Sequence, residues 1–253
     1  VTVERITSRK NPLMTQIRKL ISSRSFRREK GLFLGDGTKL LEEALRWNAP
    51  LAAVVAVEGT EIPALPEEVR LVEVPGDVMT SISPMESPQG LLFLSKMPGT
   101  GAPDKLEGSR YLVLDGLQDP GNVGTIWRTA DALGADGLIL VNGCADPWNP
   151  KTVRATMGAC FRLPVYEVGA EKLPQLLERS GLPLYATALR EDTVDLRQAD
   201  LCRCALVIGS EGKGVSQALL DLSARTLKIP MRERCESLNA AAAAAVVLWE
   251  MAR

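Results

Sequence analysis

Asn122, Arg128, Glu211, Ser237 and Asn239 are the polar residues whose settings invite chemistry, because each lies in or just beyond a loop that follows an apolar run. The first loop, Asp115-Gly116-Leu117-Gln118-Asp119-Pro120-Gly121-Asn122-Val123-Gly124, follows YLVL and leads into TIWRTADALGADG, a helix that Gly134 ends. Asn122 stands near its N-terminus and Arg128 about one and a half turns on, so the guanidinium can swing over the same mouth. Pro120-Gly121 equally reads as a turn, with Asn122 a helix cap. The second loop, Gly209-Ser210-Glu211-Gly212-Lys213-Gly214, lets backbone approach a ligand closely with a carboxylate beside it. A nucleotide P-loop would need glycine where Val207 stands, and G-x-G-x-x-G is not present either, so a plain Gly-rich turn is the other reading. The third runs from Ile229-Pro230-Met231 to Glu236-Ser237-Leu238-Asn239 and opens an Ala-rich helix that Ser237 or Asn239 would cap.

The absence of histidine narrows what these residues can do. It removes Ser-His-Asp triads, Cys-His pairs and His-containing metal sites together, so proton chemistry must use another residue type and no metal is expected. Five cysteines (Cys144, Cys160, Cys202, Cys204, Cys235) are odd in number and lack a C-x-x-C pair, which signals neither a disulfide framework nor a thiolate zinc site and fits a reducing cytoplasm.

Elements able to position the three loops are visible as apolar runs. YLVLDGL, GLILV, LPLYATAL, CALVIGSE and TLKIPM alternate with helical segments over residues 110–253, the signature of a largely parallel α/β sheet, whose ligands bind outside the carboxyl ends of the strands. Upstream, GLFLGDG, LAAVVAV, VRLVEV and GLLFLS read as buried strands, and TKLLEEALRW places Leu40, Leu41, Ala44 and Leu45 on one helical face. Residues 1–95 therefore form a small α/β domain, and the Gly- and Pro-containing KMPGTGAPDKLEGS, 96–109, is the linker. The longest apolar stretch, Ala240 to Trp249, is ten residues, about half of the roughly 20 that cross a bilayer, so no membrane partner is expected. The opening VTVERITSRK lacks the apolar core of a secretory signal.

Charge is unevenly spread. The 253 residues carry a net −1, yet residues 1–30 hold nine basic side chains against Glu4 and Glu29. A basic segment on an acidic body suits phosphates, since neutralising them releases condensed counterions; a solvated helix face or a transit peptide would have the same composition.

N-V-G-T-I-W-R-T-A, then L-V-I-G-S-E-G-K-G-V, then I-P-M followed by S-L-N, in this order, resemble the three motifs of the SpoU (TrmH-like) family, RNA ribose 2'-O-methyltransferases of the SPOUT class. ITSRKNP, RKL, GLFLGDG, EEAL and SPMESPQGLL are similar to the small N-terminal substrate-binding domain of many members, so nearly the whole chain is covered. The resemblance implies a C-terminal α/β domain with a deep trefoil knot, S-adenosylmethionine bound bent within it, and a homodimer that completes the site. It assigns Asn122 and Arg128 to the first motif, Glu211 to the second, and Ser237 and Asn239 to the third, with Gly209, Ile229, Met231 and Leu238 lining the cofactor pocket. Ala241 departs from a second Ser frequent in the third motif, and Asp36 stands where the N-terminal domain often has Glu.

The activity so implied is methyl transfer to a ribose 2'-hydroxyl, of ribosomal RNA in view of the N-terminal domain. A transfer-RNA methyltransferase and a catalytically silent RNA-binding paralogue are the alternatives. Arg128 would hold the hydroxyl and stabilise developing alkoxide charge rather than act as a base, since a guanidinium stays protonated near neutrality. Glu211 would orient Arg128 or the RNA, and Asn122, Ser237 and Asn239 would fix loops and substrate. Arg9, Lys10, Arg18, Arg27 and Arg28 would grip the RNA backbone.

Overall fold

The computed structural model describes residues 3–232, 234 and 237–253; Cys235 and Glu236 lie outside them. Two compact units emerge, Val1–Gly99 with Asp146–Phe161, and Thr100–Ala145 with Arg162–Arg253.

The first unit begins with strand β1 (Val3–Arg5), helices α1 (Pro12–Ser22) and α2 (Arg24–Lys30), β2 (Leu32–Asp36) and α3 (Thr38–Arg46). It continues through β3 (Leu51–Val57), β4 (Arg70–Val74), α4 (Gly76–Ile82) and β5 (Leu91–Lys96). Asn11 caps α1 by accepting from the Leu13 amide, Pro12 supplies a first residue that needs no donor, and Leu13, Met14, Ile17 and Leu20 turn inward at helical spacing. The sheet order is β1-β4-β3-β5-β2, parallel across β1, β4 and β3 and antiparallel at β5 and β2. β3 is central and almost wholly apolar, as a strand covered on both faces must be. The ring of Phe93 lies over Gly35 of β2, where any Cβ would sit 2.1 Å from it, so only glycine fits there.

Strand β6 (Arg110–Asp115), helix α5 (Pro120–Ala132) and strand β7 (Gly137–Val141) open the second unit. The chain then supplies helix α6 (Pro150–Ala155) to the first unit, where Trp148 stacks near Phe33 with ring centroids 4.7 Å apart. Arg27 of α2 is 3% exposed and donates to Asp146 Oδ2 through Nε at 3.0 Å and Nη2 at 2.5 Å, and through Nη1 to the Leu20 carbonyl at 2.5 Å. This corrects the expectation that Arg27 grips RNA: its guanidinium is spent inside the first unit.

The second unit continues with β8 (Val165–Glu167), α7 (Leu173–Ser180), β9 (Leu184–Thr187), β10 (Val194–Asp195) and β11 (Cys204–Gly209). It ends with α8 (Gln217–Leu222), β12 (Arg225–Lys228) and α9 (Ala240–Ala252). Its seven strands run β10-β12-β9-β11-β6-β7-β8, every pair parallel, over a core that includes Val113, Ile139, Val207 and Leu219. Trp127 of α5 is fully buried, with its indole N–H donating to the Leu163 carbonyl at 3.0 Å. α5 packs beside α9. No helix among the described residues is long and apolar enough to cross a membrane.

Candidate active site

The register of the parallel strands sets the site. Gly209 ends β11 directly opposite Asp115, which ends β6 opposite Val141 of β7. The loops after these three strands therefore leave the sheet side by side.

Asp119, not Asn122, caps α5: its side chain accepts from the Asn122 amide at 2.8 Å, with Pro120 in the first turn. Freed from capping, the Asn122 side chain donates through Nδ2 to Glu211 Oε1 at 2.8 Å. Asn239 does cap α9, its Oδ1 accepting from the amides of Ala241 at 2.9 Å and Ala242 at 3.3 Å. Its Nδ2 donates to the same Glu211 oxygen at 2.8 Å and to Asn122 Oδ1 at 3.3 Å. Residues 117 positions apart thus meet on one carboxylate oxygen. Glu211 is held out by a tight loop in which the amides of Ser210 and Gly214 each donate to the other's carbonyl, at 3.1 and 2.8 Å. A Cβ on Gly209 would lie 2.1 Å from the Gly214 carbonyl carbon, so the loop closes only on glycine.

Two cavities meet at this loop, sharing Ser210, Glu211 and Gly214. The narrower, about 240 Å³, is lined by Gly209, Ile229, Met231, Leu238 and Ser237 among others. Ile208, Leu227 and Ala240 complete its apolar wall. The wider, about 970 Å³, opens between the ends of β6, β7 and β11 and takes in Asn122 and Lys213. Arg128 lines neither. It is exposed on α5 and forms no hydrogen bond or ion pair among the described residues.

Three further residues, given no role by sequence, hold the wide cavity in shape. Asp115 is 4% exposed and its carboxylate accepts from the Ser216 amide at 2.6 Å and from Asn142 Nδ2 at 2.6 Å. It ties the end of β7 and the exit of the Glu211 loop to the end of β6. Nearby Cys144 donates its thiol to the Leu114 carbonyl at 3.1 Å, and burial pushes its pKa up to about 11, so it remains a protonated thiol rather than a nucleophile.

Of the basic residues expected to meet RNA, Arg9, Lys10 and Arg28 are exposed and Arg18 is half-buried. Arg9 pairs with Asp77 at 2.8 Å, and Arg18 donates to the Arg9 carbonyl at 2.7 Å.

Residues 109–249 match the SpoU rRNA Methylase family, and residues 11–92 match the MRM3-like substrate binding domain. The chain is 33% identical to the 23S rRNA (guanosine(2553)-2'-O)-methyltransferase RlmP of Bacillus subtilis, over 98% of this chain and 99% of that one. It is 31% identical to the 23S rRNA (uridine(2479)-2'-O)-methyltransferase of Streptomyces viridochromogenes, over 98% and 92%. Among solved structures, the AdoMet-bound rRNA methyltransferase from Sinorhizobium meliloti superposes with a TM-score of 0.86 at 31% identity, covering 98% of this chain and 97% of that one.

Proposed function

Because the chain belongs to the SpoU family of rRNA methylases, we propose that the residues gathered around Glu211 move a methyl group from S-adenosylmethionine to a ribose 2'-hydroxyl of ribosomal RNA, in the cytoplasm. The observation that carries the residue assignment is that Gly209, Ile229, Met231 and Leu238 line one cavity together with Glu211. Its apolar wall suits a purine, and the tight glycine loop at its mouth offers backbone groups to the polar end of the methyl donor.

S-adenosylmethionine supplies a methyl group on a sulfonium, and the accepting hydroxyl must lose its proton as the methyl arrives. The chain's own task is placement. Asn122 and Asn239 lock Glu211 Oε1, which fixes the ridge between the two cavities and so the line between donor and acceptor. Arg128 holds the hydroxyl and stabilises alkoxide charge as it develops.

The reading includes a homodimer. α5 and α9, packed side by side, carry exposed stripes at helical spacing: Thr125, Arg128 and Ala132 on one, Ala242, Val246 and Trp249 on the other. Trp249 is 62% exposed, and a second copy over this face would cover it while handing Arg128 to the partner's cavities. The trefoil threading belongs to the same reading, supported by the convergence of three loops on Glu211. Exposed Arg9, Lys10 and Arg28, with half-buried Arg18, meet the RNA backbone.

Methyl transfer from labelled S-adenosylmethionine to ribosomal RNA lacking the modification tests this. Arg128→Lys should lose at least about a hundredfold in rate while keeping methyl-donor affinity; near-normal turnover rejects the role. Mixing inactive Arg128→Lys with inactive Glu211→Ala chains should restore activity if the site is shared between subunits. No restoration, with mixed dimers present, places Arg128 within its own chain's site.

A further inference from the structure

Two side-chain amides of the wide cavity beside Glu211 share one hydrogen-bonding polarity. Gln118 Nε2 donates to the Gly143 carbonyl at 2.7 Å and to the Gly116 carbonyl at 3.5 Å. Asn142 Nδ2 donates to Asp115 at 2.6 Å and to the Ser216 hydroxyl at 3.4 Å. Carbonyl and carboxylate partners fix both amide orientations, because only the NH2 end can face an acceptor. Each amide has spent its donors inside the protein, and what remains of both is a carbonyl oxygen. The lining also contains the carboxylates of Asp119 and Glu211, the hydroxyls of Ser210 and Ser216, and Lys213 as its basic residue. An acceptor-rich wall selects a ligand that brings donors.

We infer that this cavity receives the target nucleotide and that Gln118 and Asn142 select a base by its N–H donors, with guanine the best match. The inference rests on the narrow cavity holding the methyl donor, because the shared ridge at Glu211 then places the accepting ribose on the wide side. Guanine offers adjacent donors at N1 and N2, whereas the uracil N3–H lies between two carbonyls, and adenine and cytosine each set an acceptor beside their amino group. Two acceptor oxygens complement the first and repel part of each of the others. The carboxylates keep phosphate away from the interior, which leaves Lys213 to meet it at the rim.

Calorimetric titration of the full-length protein, loaded with S-adenosylhomocysteine, with the 3',5'-bisphosphates of guanosine, inosine, uridine, adenosine and cytidine tests the assignment. Guanosine bisphosphate should bind tightest, with inosine, which lacks the 2-amino group, weaker by about fivefold or more. Gln118→Leu should remove most of that preference, and Lys213→Ala should weaken all five alike. Equal affinities, no binding of any, or a guanosine preference that survives Gln118→Leu overturns the inference. Failure of S-adenosylhomocysteine to bind the unsubstituted protein would instead strike the methyl-donor assignment, and Gln118→Leu should leave that affinity unchanged.

Discussion

Arg27 with Asp146 in the first unit, and Asn122 with Glu211 and Asn239 in the second, are polar groups joined across more than 85 residues of chain, and they differ in what surrounds them. Arg27 and Asp146 are 3% and 9% exposed, so their charges satisfy one another away from water. Glu211 is exposed at the ridge between two cavities. Water can replace any partner the second set loses, which makes its hydrogen bonds a weak source of stability. Under the proposed function, its purpose lies in alignment. The first set is the reverse: little chemistry, and a large penalty if broken.

That contrast is testable at both ends. Asp146→Ala leaves a buried guanidinium without its counter-charge and should lower unfolding free energy by about 3–5 kcal/mol in urea titrations. Replacing both partners, Arg27→Met with Asp146→Leu, should recover most of the loss, since two apolar groups leave no orphaned charge. A single substitution costing less than about 1 kcal/mol would mean that water reaches the pair. Glu211→Ala should behave oppositely. Stability should change by under about 1 kcal/mol while methyl transfer falls on the order of a hundredfold. Equal destabilisation by Glu211→Ala and Asp146→Ala would erase the distinction between the two regions.

The same distinction marks what the sequence reveals. β3 and β7 are legible residue for residue, because LAAVVAV and GLILV are uninterrupted apolar runs of strand length. β1, β8 and β10 have three, three and two residues, too few to show any period. The start of α5 is displaced because Gly121-Asn122-Val123-Gly124 has low helix propensity, whereas Asp119 and Pro120 start the helix regardless. A count of basic residues cannot see that Arg27 points inward, since its partner lies 119 positions away. The gathering of three loops follows from the strand-end rule. The clamp by Asp115 does not: a carboxylate closes an apolar strand, as Asp36 closes β2, and Ser216 and Asn142, 101 and 27 residues away, give it meaning only once the strands are in register.

A third carboxylate sharpens the comparison with the smallest effect. Asp36, the last residue of β2, is 8% exposed, and neither of its oxygens has a hydrogen-bond partner among the described residues. Burial raises its pKa above the usual 3.8, against an opposing pull from Arg154. The folded state therefore binds this proton more tightly than the unfolded one does. That advantage is complete below pH 3.8 and is lost as pH rises through the folded-state value. Above pH 3.8 this preference for the protonated form is a burden on the fold, whereas Asn at the same place carries no charge. Asp36→Asn should raise the urea midpoint at pH 7, and its lead over the native chain should shrink as pH falls toward 3.8. A lead independent of pH would trace the effect to packing instead of charge. Asp36 and Asp146 would then no longer illustrate one rule, that a carboxylate inside this unit stabilises it only when a guanidinium is hydrogen-bonded to it.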